Sequence, residues 1–170
     1  MTDEADSYNP VGFWKLPILT IMTKYSLPGF AELNLDELEE YYDSQVDFKN
    51  RKVIVDLNFD EYSINPKKLD VVGSIINNLD LYNTKALDAI EQEYHSGGDT
   101  VKFYLEQHSA LIDKEEVALL AFYLKRVGFY PENESYFAVF DYTLNEEQTQ
   151  YLIVVTFNEN GAIELLTMES

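Results

Sequence analysis

Only two side chains in this sequence titrate near neutrality in their free form, His95 and His108. Each could serve as a general base beside a carboxylate. His95 stands where a helical pattern ends and His108 falls on an apolar stripe. Those positions equally suit a helix-terminal donor and a hydrogen-bonded member of the core. With no Cys in 170 residues, disulfides, thiolate metal sites and cysteine nucleophiles are excluded. No Gly-x-Ser-x-Gly, no phosphate-binding glycine loop and no pair of His one helical turn apart occurs. Gly97-Gly98 lacks a following Lys-Ser/Thr and reads as a helix stop. The sequence therefore predicts no catalytic residue, no metal ligand set and no cofactor. One acid stands out: Asp141 lies among Phe and Val in an interior strand pattern, where a carboxylate must be paired or shifted in pKa. Arg126 or Lys125 on the neighbouring strand is its expected partner. Asp56 and Asp43 raise the same question.

Binding chemistry is better represented. Thirty-one acidic residues against twelve basic ones give a formal charge of −19. Such a surface repels nucleic acid and anionic lipid, because a phosphate backbone must be met by Lys and Arg. It attracts a basic protein partner, although excess carboxylate also serves solubility alone. The candidate contact patch is Asp36, Glu37, Glu39, Glu40 and Asp43 with Tyr41 and Tyr42, which reads equally as a solvated acidic turn. Thirteen tyrosines, many on strands, suit both interfaces and cores.

The elements that would hold these residues follow from periodicity. Four aromatic-rich runs, 119–130, 136–144, 150–157 and 162–168, alternate at period two and predict an antiparallel meander. The run 151–157 is apolar on both faces, which predicts a central strand covered on both sides. Asn160-Gly161 predicts a tight primed turn between the last two strands. Upstream, 30–35 reads as a short strand, and 42–48 with 52–59 reads as a hairpin turning at 49–51 that extends the same sheet. Between the two strand groups the pattern is helical. Asn65 caps and Pro66 begins a helix to about 79; a second runs from about 84 to 94; Asp99 caps a third; Asp113 and Glu116 form a capping box for a fourth. The predicted fold class is α+β: an antiparallel sheet of about six or seven strands, an N-terminal hairpin plus a C-terminal four-strand meander, covered on one face by three or four short helices. Residues 1–25 are set apart as an appendage, with Phe13, Trp14, Ile18, Leu19 and Ile21 expected to dock on the sheet or on a partner. Residues 26–170 form one domain. An acidic start where a signal peptide would be basic, and no run of membrane-spanning length, predict a soluble cytoplasmic protein.

Several strings carry a family resemblance: Phe30-Ala-Glu-Leu-Asn-Leu35, Glu39-Glu-Tyr-Tyr-Asp43, Val55-Asp-Leu-Asn-Phe59, Gly98-Asp-Thr-Val-Lys-Phe-Tyr104, Arg126-Val-Gly-Phe-Tyr-Pro-Glu132, Phe137-Ala-Val-Phe-Asp-Tyr142, Tyr151-Leu-Ile-Val-Val-Thr-Phe157 and Met168-Glu-Ser170. Across roughly 28–170 the chain resembles the bacterial domain-of-unknown-function family two thousand and four. The resemblance implies no catalytic site. It implies a place among small bacterial proteins found beside secreted toxins and suspected of being their immunity proteins. The first 25 residues depart from the pattern. Charge and resemblance together predict an immunity protein that occludes a toxin effector, such as a basic nuclease. The alternatives are a small acid–base hydrolase and a regulatory or scaffold subunit.

Overall fold

Turn and cap chemistry decide where the elements begin. The computed structural model describes residues 23–60, 64–109, 112, 114–145 and 150–170. Phe13, Trp14, Ile18, Leu19 and Ile21 lie outside the described residues. The order is β1 (Lys24–Tyr25), β2 (Leu33–Asn34), β3 (Tyr41–Phe48), β4 (Arg51–Asn58), α1 (Pro66–Asn77), α2 (Leu79–His95), α3 (Asp99–Gln107), α4 (Glu115–Leu119), β5 (Tyr123–Phe129), β6 (Ala138–Thr143), β7 (Leu152–Phe157) and β8 (Ile163–Glu169). Lys49 and Asn50 both take positive φ, +47° and +64°, the left-handed pair of a two-residue primed turn. They close the β3–β4 hairpin at Phe48 and Arg51. Asn65 caps α1 by accepting from the Lys67 N–H at 3.1 Å, with Pro66 as its first residue.

The α+β class holds, with six strands ordered β3-β4-β5-β6-β7-β8. The sheet is mixed rather than wholly antiparallel, because β4 and β5, its second and third strands, run parallel. The four helices among the described residues lie in the connection between those two strands, and a parallel pair requires such a crossover. The strand expected over 30–35 shrinks to β2, which pairs with β1 in a separate two-stranded sheet. Residues 24 and 25 are thereby tied to the domain, and the Tyr25 hydroxyl donates to Asp70 on α1. Burial and that bond push the Tyr25 phenol up to about 12, so it stays a donor.

Three other sequence expectations change. The second helix begins at Leu79, not Thr84, since the Thr84 hydroxyl donates back to the Asp80 carbonyl from inside the helix. Asp99 does not cap α3: Glu93, near the end of α2, accepts from the N–H groups of Thr100 and Val101 at 2.8 and 3.1 Å. Gly161 alone is left-handed in the β7–β8 turn (φ +75°), and Asn158 Oδ1 accepts from the N–H groups of Asn160 and Ala162. The turn is therefore a longer, side-chain-braced loop. Asp113, the expected cap of α4, lies outside the described residues.

One face of the sheet carries Val53, Val55, Leu57, Val127, Phe129, Phe140, Tyr142, Ile153, Val155 and Phe157, all almost fully buried. Each fully buried large side chain contributes ~1.5–3 kcal/mol. The helices pack here: Tyr82 meets Phe140 and Phe157 at ring separations of 6.4 and 5.3 Å, and Asn83 accepts from the Tyr142 hydroxyl at 3.1 Å. Among the described residues no helix is long and apolar enough to cross a membrane.

Candidate functional site

The opposite face of the same sheet brings the polar residues together. Alternation along β3 and β4 puts Tyr41, Asp43, Ile54 and Asp56 on this side, with Asp43 directly opposite Asp56. On β5 simple alternation would send Arg126 into the core with Leu124. A bulge between Leu124 and Arg126, with Lys125 as the extra residue, reverses the parity, and Arg126 lands opposite Asp141 on the open face. One row then crosses four strands as Arg126, Asp141, Val154 and Thr167; the next row is Gly128, Val139, Thr156 and Leu165.

Arg126 folds back over Gly128. A Cβ on Gly128 would come within 2.6 Å of Arg126 Nη2, so the missing side chain is the space the guanidinium occupies. Nε and Nη2 donate to the two oxygens of Asp56 at 2.6 and 2.8 Å, a bidentate fork. Nη1 donates to Asp141 Oδ2 at 3.0 Å, and Nη2 also reaches the Tyr130 hydroxyl at 3.3 Å. Asn58 Nδ2 adds a third bond to Asp56 at 2.6 Å. The Asp56 side chain is 1% exposed, Asp141 8% and Arg126 29%. Of the partners the sequence allowed for Asp141, the structure selects Arg126.

The two acids are not equivalent. Asp56 accepts three bonds; among the described residues Asp141 accepts one, and its Oδ1 accepts none. Burial pushes the Asp141 carboxyl up; Arg126 opposes the shift, while the charges of Glu169 and Asp56 add to it. For Arg126, burial acts to lower the pKa, yet the bonds to Asp56, Tyr130 and Asp141 hold it above its ordinary value. Tyr41 is raised by lost hydration and then by the charges of Asp56 and Asp43. Around Asp141 lies a depression of about 390 Å³, walled by Tyr130, Tyr136, Val154 and Leu165 and bordered by Glu169. Among the described residues, its lining comes from strands and their ends. Tyr41, Ile54, Tyr136 and Leu165 stand exposed on or beside this face. As expected for 151–157, β7 is buried on both faces, with Ile153, Val155 and Phe157 on the helix side and Val154 and Thr156 on the other.

The candidate patch from 36 to 43 divides. Asp36 accepts from the Thr23 N–H at 2.9 Å and Glu37 from Asn34 Nδ2 at 3.3 Å, both in the loop after β2. Glu39 and Glu40 lead into β3; the Glu39 N–H donates to the Tyr42 hydroxyl at 2.8 Å. Tyr42 turns toward the helix side, edge-on to Phe59. Tyr41 and Asp43 join the open face. His95 lies 3.6 Å from Glu91 on the α2 surface. His108 is buried, its Nδ1 2.6 Å from the Tyr104 carbonyl and its ring stacked on Tyr104. Among the described residues no group of three or more His, Asp or Glu is placed to hold a metal ion. Gly128 and the Lys125 bulge are what sequence reasoning missed; the signal available was a Gly within a strand pattern, two residues beyond an Arg.

Chemically, one guanidinium shared by two buried carboxylates leaves a negative charge over, and Glu169 adds another. Four of the five Arg126 N–H groups are already given to Asp56, Asp141 and Tyr130, which disfavours an anion. An anionic floor with aromatic walls suits a cationic group instead. Comparison with models of known protein families, with curated proteins and with solved structures finds no match.

Proposed function

We propose that this chain is an immunity-type protein: it binds a positively charged protein, a secreted antibacterial toxin effector, and neutralises it by occlusion. The observation that carries the reading is a formal charge of −19 on a chain whose main sheet, among the described residues, carries its helices on one face and exposes Tyr41, Tyr136 and Leu165 on the other. Carboxylate-rich surfaces accelerate encounter with a cationic partner, and a few buried aromatics then supply most of the affinity. The resemblance of 28–170 to the toxin-associated bacterial family points the same way.

Co-expression with the product of an adjoining secreted-effector gene tests it. The expected result is survival of cells that the effector alone kills, together with a purified complex that loosens markedly as salt rises. An acidic partner, a complex indifferent to salt, or a chain that turns over a small substrate overturns the reading.

A further inference from the structure

Resting on the binding function just proposed, we infer that the depression at Asp141 is the seat of that partner's anchoring residue: an arginine or lysine side chain entering between Asp141 and Glu169, beside the Tyr130 and Tyr136 rings. Three independent features converge there. The first is a carboxylate more than nine-tenths buried, with one oxygen bonded to Arg126 and the other, among the described residues, without a donor. The second is local charge: Asp56, Asp141 and Glu169 face a single guanidinium. The third is a pair of tyrosines set edge to face at 5.7 Å, one of them, Tyr136, 47% exposed, beside the place a cation would occupy. A cationic side chain is a planar or compact donor that would complete the bonding of Asp141 and lie against an aromatic ring. An anion would find four of the five Arg126 N–H groups already taken and the Asp56 and Asp141 carboxylates beside them. A neutral apolar group would bury Asp141 further without compensating it. Gly128 and the Lys125 bulge hold Arg126 flat against the sheet, which keeps the depression open rather than filled by the chain's own cation.

The test uses the full chain, labelled with nitrogen-15, and hexa-arginine as the probe, at low salt. Amide shifts are expected to concentrate on 126, 130, 141, 154, 167 and 169. Asp141→Asn with Glu169→Gln should weaken hexa-arginine about tenfold or more, whereas Glu37→Gln with Glu39→Gln should change it by less than about twofold, a tenfold change being ~1.4 kcal/mol. Thr167→Lys, which leaves every acid in place and supplies an ammonium from β8, should compete with the probe to a similar degree. Shifts centred on 36–40, or equal losses in the two acid-to-amide pairs, overturn the inference while leaving a basic-partner function standing. No binding of hexa-arginine anywhere overturns that function as well. Overhauser contacts from the Trp14 ring to the open face assign it to the chain's own N-terminal segment, and probe-free shifts that grow with protein concentration assign it to a second copy; either outcome also overturns the inference.

Discussion

Gly128 and the Arg126 guanidinium compete for one volume, and the magnitudes say which would win. Alanine in a strand interior is favoured over glycine by ~0.5–1 kcal/mol. At Gly128 its methyl would displace Nη2, and each charge-assisted bond lost costs ~1.5–3 kcal/mol. Gly128→Ala should therefore be destabilised by about 1–3 kcal/mol in urea unfolding; equal or greater stability would show that Arg126 is not held as described. Asp141 behaves in the opposite sense. Its folded-state pKa is raised, so the folded chain holds that proton more tightly than the unfolded chain does. Below the unfolded value both states are protonated and nothing is lost. As pH rises from there through the raised value, stability declines. Asp141→Asn lacks this titration. Its stability relative to the parent should grow over the interval that starts at the unfolded value, about pH 4, and runs upward. A relative stability that shrinks over that interval would mean that the Arg126 pair outweighs burial. A buried acid that costs the folded chain stability, and whose replacement weakens binding rather than folding, is what a binding residue looks like in the unbound protein.

Elements rather than single residues explain what could be read in advance. Asn65-Pro66, the strand alternation of 51–58 and 152–157, and the Gly97 stop were legible because each is a local rule with a local outcome. The parallel β4–β5 pair was not, since which strands meet across a crossover depends on how four helices pack. Nor was the orientation of Arg126. The string Leu124-Lys125-Arg126-Val127-Gly128-Phe129 fits either face, and only the bulge, set by pairing with β6, decides. Asp141 was recognisable as an anomaly, and Arg126 as one of two partners, yet the open face as a whole was hidden because its residues come from six strands. The β3–β4 turn shows where local rules are under-used. Lys49 at φ +47° is a poor occupant of a left-handed position, and its ion pair with Asp80 is exposed on both sides. Replacing Lys49-Asn50 with Asn-Gly should raise stability by about 0.5–1 kcal/mol, read as a melting point higher by roughly 1–4 °C for a chain of this size. No gain, or a loss, would mean that the Lys49 contacts with Asp80 and Phe48 outweigh backbone strain.

At the scale of the molecule, charge acts twice and with opposite signs. A formal −19 on one domain is self-repelling, so the free protein carries an electrostatic load that counterions relieve. The same field supplies long-range attraction for a cationic partner, and counterions weaken it. Screening length falls from about 30 Å at 0.01 M salt to about 8 Å at 0.15 M and 3 Å at 1 M. Raising sodium chloride from about 10 mM to about 500 mM should therefore raise the melting temperature of the free protein while slowing its association with hexa-arginine or a basic effector by tenfold or more. The two responses isolate different things: melting reports repulsion within the chain, and the association rate reports attraction between chains. If both weakened with salt, paired charges such as Lys68–Glu159 and Arg126–Asp56 would dominate the electrostatics over the excess carboxylate. If association were unaffected while melting rose, the acidic surface would serve solubility alone, and recognition would rest on Tyr41, Tyr136 and Leu165.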